Sequence, residues 1–130
     1  MKALLRWFSY LFHLAFGLFW LGTAALALIF VPRALQVKML PWEGVPLDSA
    51  ILAAALFGVT AAWWAITDRR RMPFFVWSLA LAVFLVKGFL FGGSRFAPGE
   101  AALAAELMAA SWLALAGAWL TLRQPARRRR

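Results

Sequence analysis

Long apolar segments separated by short charged or turn-forming stretches are the dominant pattern of this chain. They cover residues 7–31, 49–67, 73–92 and 100–122. Each is close to the about 20 mostly apolar residues that a helix needs to cross the hydrocarbon core of a bilayer. The pattern therefore predicts an all-α integral membrane protein. Four consecutive spans that cross in alternating directions predict an antiparallel four-helix transmembrane bundle.

Helix start and stop signals agree with these limits. Asp48 or Ser49 is suited to cap the second span, and proline at the first turn of the third costs no intrahelical hydrogen bond. Asp68 and the three arginines after it end the second span, and Gly92-Gly93 ends the third. Between spans one and two, the segment RALQVKML predicts a short helix lying in the membrane interface, followed by a turn-rich cap around Trp42.

Composition supports the membrane assignment and limits what else the chain can contain. Hydrophobic residues make up 65% of the sequence and charged residues 15%, against about 45–50% and about 25% in soluble domains. With 130 residues, we expect one transmembrane domain over residues 1–130 and no separate extramembrane domain. The absence of cysteine excludes disulfides and thiolate metal sites, and a single histidine argues against an all-protein zinc site.

The distribution of lysine and arginine predicts the orientation. Ten of them fall at the N-terminus, in the loop between spans two and three, or in the tail at 123–130, whereas Arg33, Lys38 and Arg95 fall in the other two loops. Because basic residues favour the cytoplasmic side, we expect both termini to be cytoplasmic. The predicted location is the cell inner (plasma) membrane, with multiple passes.

The formal net charge of +9 does not indicate nucleic-acid binding, because the basic residues sit at helix ends and do not alternate with aromatics along one surface. Basic residues near a membrane surface are instead attracted to anionic lipids. We therefore predict headgroup contacts for the basic residues of the loop and the tail: Arg69, Arg70, Arg71, Arg127, Arg128, Arg129 and Arg130. The lipid bilayer is the first expected partner.

Two charged residues lie inside predicted spans, Lys87 in the third and Glu106 in the fourth. Charges in hydrocarbon are costly and mark functional candidates. At about 1.5 Å of rise per residue, both come at similar depth on adjacent antiparallel helices. The sequence therefore predicts either an intramembrane ion pair or an ion- or proton-binding site. A further alternative has Lys87 reaching the interface and Glu106 protonated or turned to a wet crevice.

Small residues at helical spacing predict close helix packing, because they let helix backbones approach each other. One such stripe is on span two and one is on span four, where it shares its face with Glu106. Glu106 is therefore expected to face the bundle interior or a partner, and not lipid. The stripe residues are Ala54, Gly58, Ala62, Ala102, Ala109, Ala110 and Gly117.

His13, with Trp20 two turns later, is the remaining candidate for chemistry. It could ligate haem iron, shuttle a proton or hydrogen-bond a quinone, or simply donate to a neighbouring carbonyl. The run His13, Trp20, Gly22 and Pro32-Arg33 loosely resembles the first span of some small bacterial families, including the copper-resistance D-type proteins. The second histidines of their haem or copper sites are missing here, so no family is assigned and the cofactor is unknown.

Enzymatic function is not expected, because the sequence has no nucleophile beside a base, no carboxylate pair and no phosphate-binding glycine loop. The predicted function is a small accessory, assembly or structural subunit of a larger inner-membrane complex. One alternative is a homodimeric transporter or ion pathway that uses Glu106. Another is a binder of a lipophilic cofactor, such as a quinone, haem or pigment, near His13. Other membrane subunits or further copies of the chain are the expected protein partners.

Overall fold

A computed structural model describes residues 1–30, 45–91 and 100–123, which are helical except for Met1, the connection at 67–71 and Arg123. The elements are α1 (Lys2–Phe30), α2 (Val45–Ile66), α3 (Met72–Val86), a π-helix η1 (Lys87–Phe91) that continues α3, and α4 (Glu100–Leu122). Four helical segments among the described residues are long and apolar enough to cross a membrane. The prediction of an all-helical chain with four helices able to span a membrane is therefore confirmed for the described residues, and these four candidate spans indicate a multi-pass membrane protein.

The α2–α3 connection shows how the local sequence turns the chain back. Asp68 has a φ of 56°, and the Arg69 and Asp68 amides donate to the carbonyls of Trp64 at 2.9 Å and Ala65 at 3.3 Å. This is a Schellman motif, in which glycine usually takes the left-handed position and aspartate tolerates it. Two residues after Arg71, Pro73 lies in the first turn of α3. The stop signal read at Asp68 thus acts through its backbone conformation.

Each helix packs mainly against one or two others. The most extensive contacts are between α1 and α2, α1 and α4, and α3 and α4, whereas α2 and α3 touch over a smaller area. Arg71 reaches the Thr121 carbonyl and Phe75 contacts the Trp119 ring, so α3 and α4 run in opposite directions. We call the end that holds residues 1, 67–71 and 123 the terminal end, and the opposite end the far end.

The tightest packing lies toward the terminal end. Four buried alanines, Ala61, Ala62, Ala65 and Ala118, surround the fully buried ring of Phe74. Tyr10 packs on the same ring at 5.4 Å between centroids. Small residues on three sides of one large ring allow helix backbones to come close, which is the packing expected where lipid supplies no hydrophobic driving force.

Two helix limits differ from the sequence-based prediction. α1 begins at Lys2 and α2 at Val45, several residues before the predicted 7 and 49. Proline at a first-turn position loses no hydrogen bond, so Pro46 permits the earlier start, and Asp48 lies inside the helix instead of capping it. The interfacial helix, Trp42, the basic residues Arg33, Lys38 and Arg95, and the tail at 124–130 lie outside the described residues.

Candidate functional site

Lys87 and Glu106 do not form a salt bridge. Lys87 lies twelve residues after Phe75, and Leu107 twelve before Trp119, so the Phe75–Trp119 contact places Lys87 and Glu106 at nearly the same depth. Both side chains are nevertheless exposed. The salt bridge found within the described ranges is instead Arg71–Asp68. The structure therefore does not contain the ion pair that the hairpin geometry suggested.

Helix rotation explains why the two charges miss each other. Lys87 follows the buried Leu85 by two residues, which turns it by about 200° away from the packed side of α3. Glu106 is about three turns from Gly117, which packs against Leu5 of α1. Lys87 therefore faces outward, whereas Glu106 lies on the side of α4 that meets α1 near the terminal end. The two side chains are at equal depth but point in different directions, so they do not pair.

The small-residue stripe of α4 is divided between two roles. Gly117 is buried, and a Cβ there would meet the Leu5 carbonyl oxygen and lie 2.7 Å from the Ser9 Cβ. Ala110 is half-buried, whereas Ala102 and Ala109 are exposed beside Glu106. One end of the stripe thus packs α1 against α4, and the other end is an open surface, which we call the α4 outer face (Ala102, Glu106 and Ala109).

The stripe of α2 divides in a similar way. Gly58 and Ala62 are buried, while Ala54 is exposed. The indole ring of Trp77 from α3 lies directly on Gly58, so a Cβ at this position would overlap that ring. Gly58 therefore makes room for the Trp77 ring between α2 and α3. Ala54 lines a cleft that opens between these helices, and Trp20 of α1 lies at the back of the same cleft.

His13 is buried at an interhelical contact. Its Nδ1 lies 2.7 Å from the Ser9 carbonyl oxygen, so Nδ1 donates this bond, and its ring meets Phe74 edge-on at 5.0 Å. His13 does not line the α2–α3 cleft. This geometry matches the alternative in which the histidine donates to a nearby carbonyl, and it separates His13 from Trp20.

Ser9 makes a hydrogen bond between helices, and it was not among the predicted site residues. Its hydroxyl donates to the Ala114 carbonyl oxygen of α4 at 2.7 Å, and Ser9 is fully buried. Double-mutant cycles in a membrane protein give about 0.6 kcal/mol on average for such bonds, up to about 1.7. The sequence signal for this bond is a serine one helical turn before a histidine within an apolar span.

We expect Ser9→Ala to lower the free energy of unfolding by about 1 kcal/mol, because it leaves a buried carbonyl unsatisfied by this donor. Thr60→Ala is the matched control, since its hydroxyl is exposed and donates only to the Leu56 carbonyl of its own helix. Unfolding in mixed detergent micelles, followed by far-UV circular dichroism, compares the two. Equal stability of both variants would contradict the role given to Ser9.

Most other hydroxyl groups bond within their own helices. Thr23, Ser49, Thr60, Ser111 and Thr121 each donate to a carbonyl three or four residues earlier. These hydroxyl groups satisfy their hydrogen bonds on the backbone of their own helix and do not connect to one another. They therefore do not provide the aligned polar groups that an ion or proton route requires.

Within the described ranges, four side chains have buried polar atoms without a hydrogen-bond partner: both carboxylate oxygens of Asp48, the Ser78 hydroxyl, Trp77 Nε1 and Arg6 Nε. Asp48 is fully buried in the first turn of α2. An unsatisfied buried polar group costs about 1–3 kcal/mol, and more when it is charged. Asp48 and Ser49 were the two predicted caps of α2, because an acidic or hydroxyl residue near a helix start usually caps it.

Some basic residues at the terminal end are exposed without a described side-chain contact, and others contact a side chain of the protein. Arg69 and Arg70 are exposed, as expected for headgroup contacts. Arg71 is instead held by Asp68, with an Nη2 to Oδ1 distance of 2.7 Å. Arg123 lies over the Trp119 ring at 4.6 Å from its centroid. The predicted contacts of Arg127–Arg130 fall outside the described residues.

Metal binding finds no support in the described part of the chain, where no three histidine, cysteine or acidic side chains come together. The candidate features are therefore the α4 outer face with Glu106, the exposed Lys87 at the start of the π-helix, and the apolar cleft between α2 and α3. No family model, curated protein or solved structure matches this chain.

Proposed function

We propose that the protein is a small accessory, assembly or structural subunit of a larger inner-membrane complex. The observation that carries this proposal is the exposure of Glu106 within a membrane span. Charges inside spans nearly always face a bundle interior or a water-filled cavity and pair there. A carboxylate on the outside of this bundle therefore calls for a surface that the four helices do not supply.

The surroundings of Glu106 fit a neighbouring helix better than lipid. Ala102 and Ala109 lie one turn to either side of it and are also exposed. Small residues flanking a polar group leave room for another backbone to approach and for the polar group to bond across the interface. We infer that the α4 outer face receives a helix of another subunit that carries a hydrogen-bond donor or a basic residue at this depth.

Lys87 makes a weaker case for a partner. Its four-carbon stem lets the ammonium group reach the membrane interface while the methylenes stay in hydrocarbon. Glutamate has a shorter stem and cannot reach as far. Glu106 is therefore the residue on which the test should be made.

The two other predicted functions have less support. A transport route through Glu106 needs further polar groups along the path, and most of the described hydroxyls bond within their own helices. A cofactor liganded by His13 needs access to the imidazole, which is about 1% exposed. A further copy of the chain could cover the α4 outer face, and the experiment below distinguishes this from a different subunit.

The first experiment is purification of the tagged protein from native membranes in mild detergent. Wild type should co-elute a different polypeptide at fixed stoichiometry. Glu106→Gln should weaken that association by about 2 kcal/mol, roughly thirtyfold in Kd, because the charged bond across the interface is lost. Ala109→Leu should do the same by blocking the approach of the partner helix.

Asp68→Asn is the matched control, since it makes the same chemical change outside the spans. It should leave the co-eluting polypeptide in place. Retention of the partner by both Glu106→Gln and Ala109→Leu would remove the α4 outer face as the interface. Recovery of only this chain, alone or as a homo-oligomer, would count against the proposed function itself.

We also propose that the terminal end faces the cytoplasm. Support comes from the basic residues near that end, among which Arg69, Arg70 and Arg123 are exposed, since lysine and arginine near span ends favour the cytoplasmic side. Reporter fusions at the C-terminus, active either in the cytoplasm or outside it, would show the orientation directly.

A further inference from the structure

An apolar cleft opens between α2 and α3, with α1 as its back wall. The two helices are joined at the terminal end by residues 67–71 and meet closely where Trp77 lies on Gly58. Beyond that contact the cleft has a volume of about 370 Å³ and is lined by Phe16, Trp20, Ala54, Trp77, Ala80 and Phe84, among others. It therefore lies within the membrane-spanning part of three helices.

The cleft walls are almost entirely apolar and consist of aromatic rings, small side chains and the aliphatic side chains of Ile51, Leu81 and Leu85. The rings are those of Phe16, Trp20, Trp77 and Phe84. The side chains of Ala54 and Ala80 are small and keep the cleft wide. No charged side chain is among the lining residues. A lipid headgroup or a charged partner would therefore have no complementary group in the cleft, whereas a hydrocarbon chain can pack against these walls.

The volume of the cleft indicates whether its occupant is a small apolar molecule or a section of a hydrocarbon chain. An apolar cavity of about 150 Å³ takes one benzene molecule and stays free of water. The cleft is more than twice that size, which suits a section of an extended hydrocarbon chain. Left empty, its walls would lose dispersion contacts over the whole surface, and water would find almost no polar partners there.

We propose that this cleft holds one acyl chain of a membrane phospholipid as a bound, structural lipid. The chain would enter sideways between α2 and α3 and lie against the aromatic wall, with its headgroup outside the cleft. None of the lining residues belongs to α4, which carries Glu106. The proposal therefore stands apart from the proposed partner interface, and either can fail without the other.

The test uses the full-length protein in vesicles of dioleoylphosphatidylcholine that contain a small fraction of a phosphatidylcholine with a diazirine at the middle of one acyl chain. After irradiation, peptide mass spectrometry locates the adducts. We expect labelling to concentrate on the cleft walls of α2 and α3, in clear excess over Leu56 and Val76, which are exposed to bulk lipid but do not line the cleft. Native mass spectrometry should show one retained phospholipid.

Filling the cleft provides the decisive variant. Ala54→Leu with Ala80→Leu should abolish the excess labelling and the retained lipid, while thermal stability is kept or raised because the void is occupied. Ala53→Leu, on the outward side of α2, is the matched control and should change neither readout. If cleft labelling equals that of Leu56 and Val76, or survives in the double variant, the cleft is only solvated by bulk lipid. Cross-links between copies at the cleft would show that a second chain fills it. Each of these results overturns the proposal.

Discussion

Gly117→Leu should separate α1 from α4 and cost about 3 kcal/mol of stability, the upper part of the range for overpacking. The expected cause is steric. A Cβ at this position already meets the Leu5 carbonyl oxygen and the Ser9 side chain, and backbone atoms cannot move aside as a flexible side chain can. The Ser9 hydroxyl bond to the Ala114 carbonyl lies one turn away and should break as the helices part.

Gly22→Leu is the matched control for this prediction. Gly22 is also inside a helix, but a Cβ there has no atom within 4 Å. Because leucine has a better helix propensity than glycine, the control should be neutral or stabilising by up to about 1 kcal/mol. Unfolding in mixed micelles measures both variants. Equal destabilisation at the two positions would show that the α1–α4 contact at Gly117 is not as described.

Phe74→Ala should produce the second large loss, about 3 kcal/mol. Phenylalanine-to-alanine changes in soluble cores cost about 3–5 kcal/mol. Part of that cost is transfer from water, which nearly vanishes when the surrounding solvent is hydrocarbon. The cavity remains, because Tyr10 and His13 would both lose the ring they pack against, so the lower end of the range is expected.

Phe19→Ala serves as the control, since this ring is 63% exposed and faces the surrounding lipid. It should change the free energy of unfolding by only a few tenths of a kcal/mol, as expected of surface positions. Differential unfolding of the two variants under identical detergent conditions compares them. A loss at Phe19 as large as that at Phe74 would contradict the location of the core.

The spans could be read from the sequence because their signal is the length of uninterrupted apolar runs, which depends on bilayer thickness and not on tertiary contacts. α4 was bounded at 100–122 and the structure has Glu100–Leu122. α1 and α2 begin several residues before the predicted spans, at Lys2 and Val45, although polar or charged residues mark the starts of those spans. Such residues can continue a helix beyond the hydrocarbon.

The rotation of each helix about its axis could not be read as well. In soluble proteins an amphipathic pattern marks the buried face, but α2, α3 and α4 have no distinct apolar face. Glu106 shares its helix face with the small-residue stripe, but which part of that stripe is buried depends on the position of α1. The burial of Asp48 and the α2–α3 cleft depend on tertiary packing in the same way.

Native mass spectrometry of the assembly released from native membranes shows whether a different polypeptide completes this bundle. We expect a mass that contains this 14.5 kDa chain and a second, different polypeptide in a fixed ratio. A mass equal to this chain, or to a whole-number multiple of it once bound lipid is removed, would mean that no different polypeptide completes the bundle.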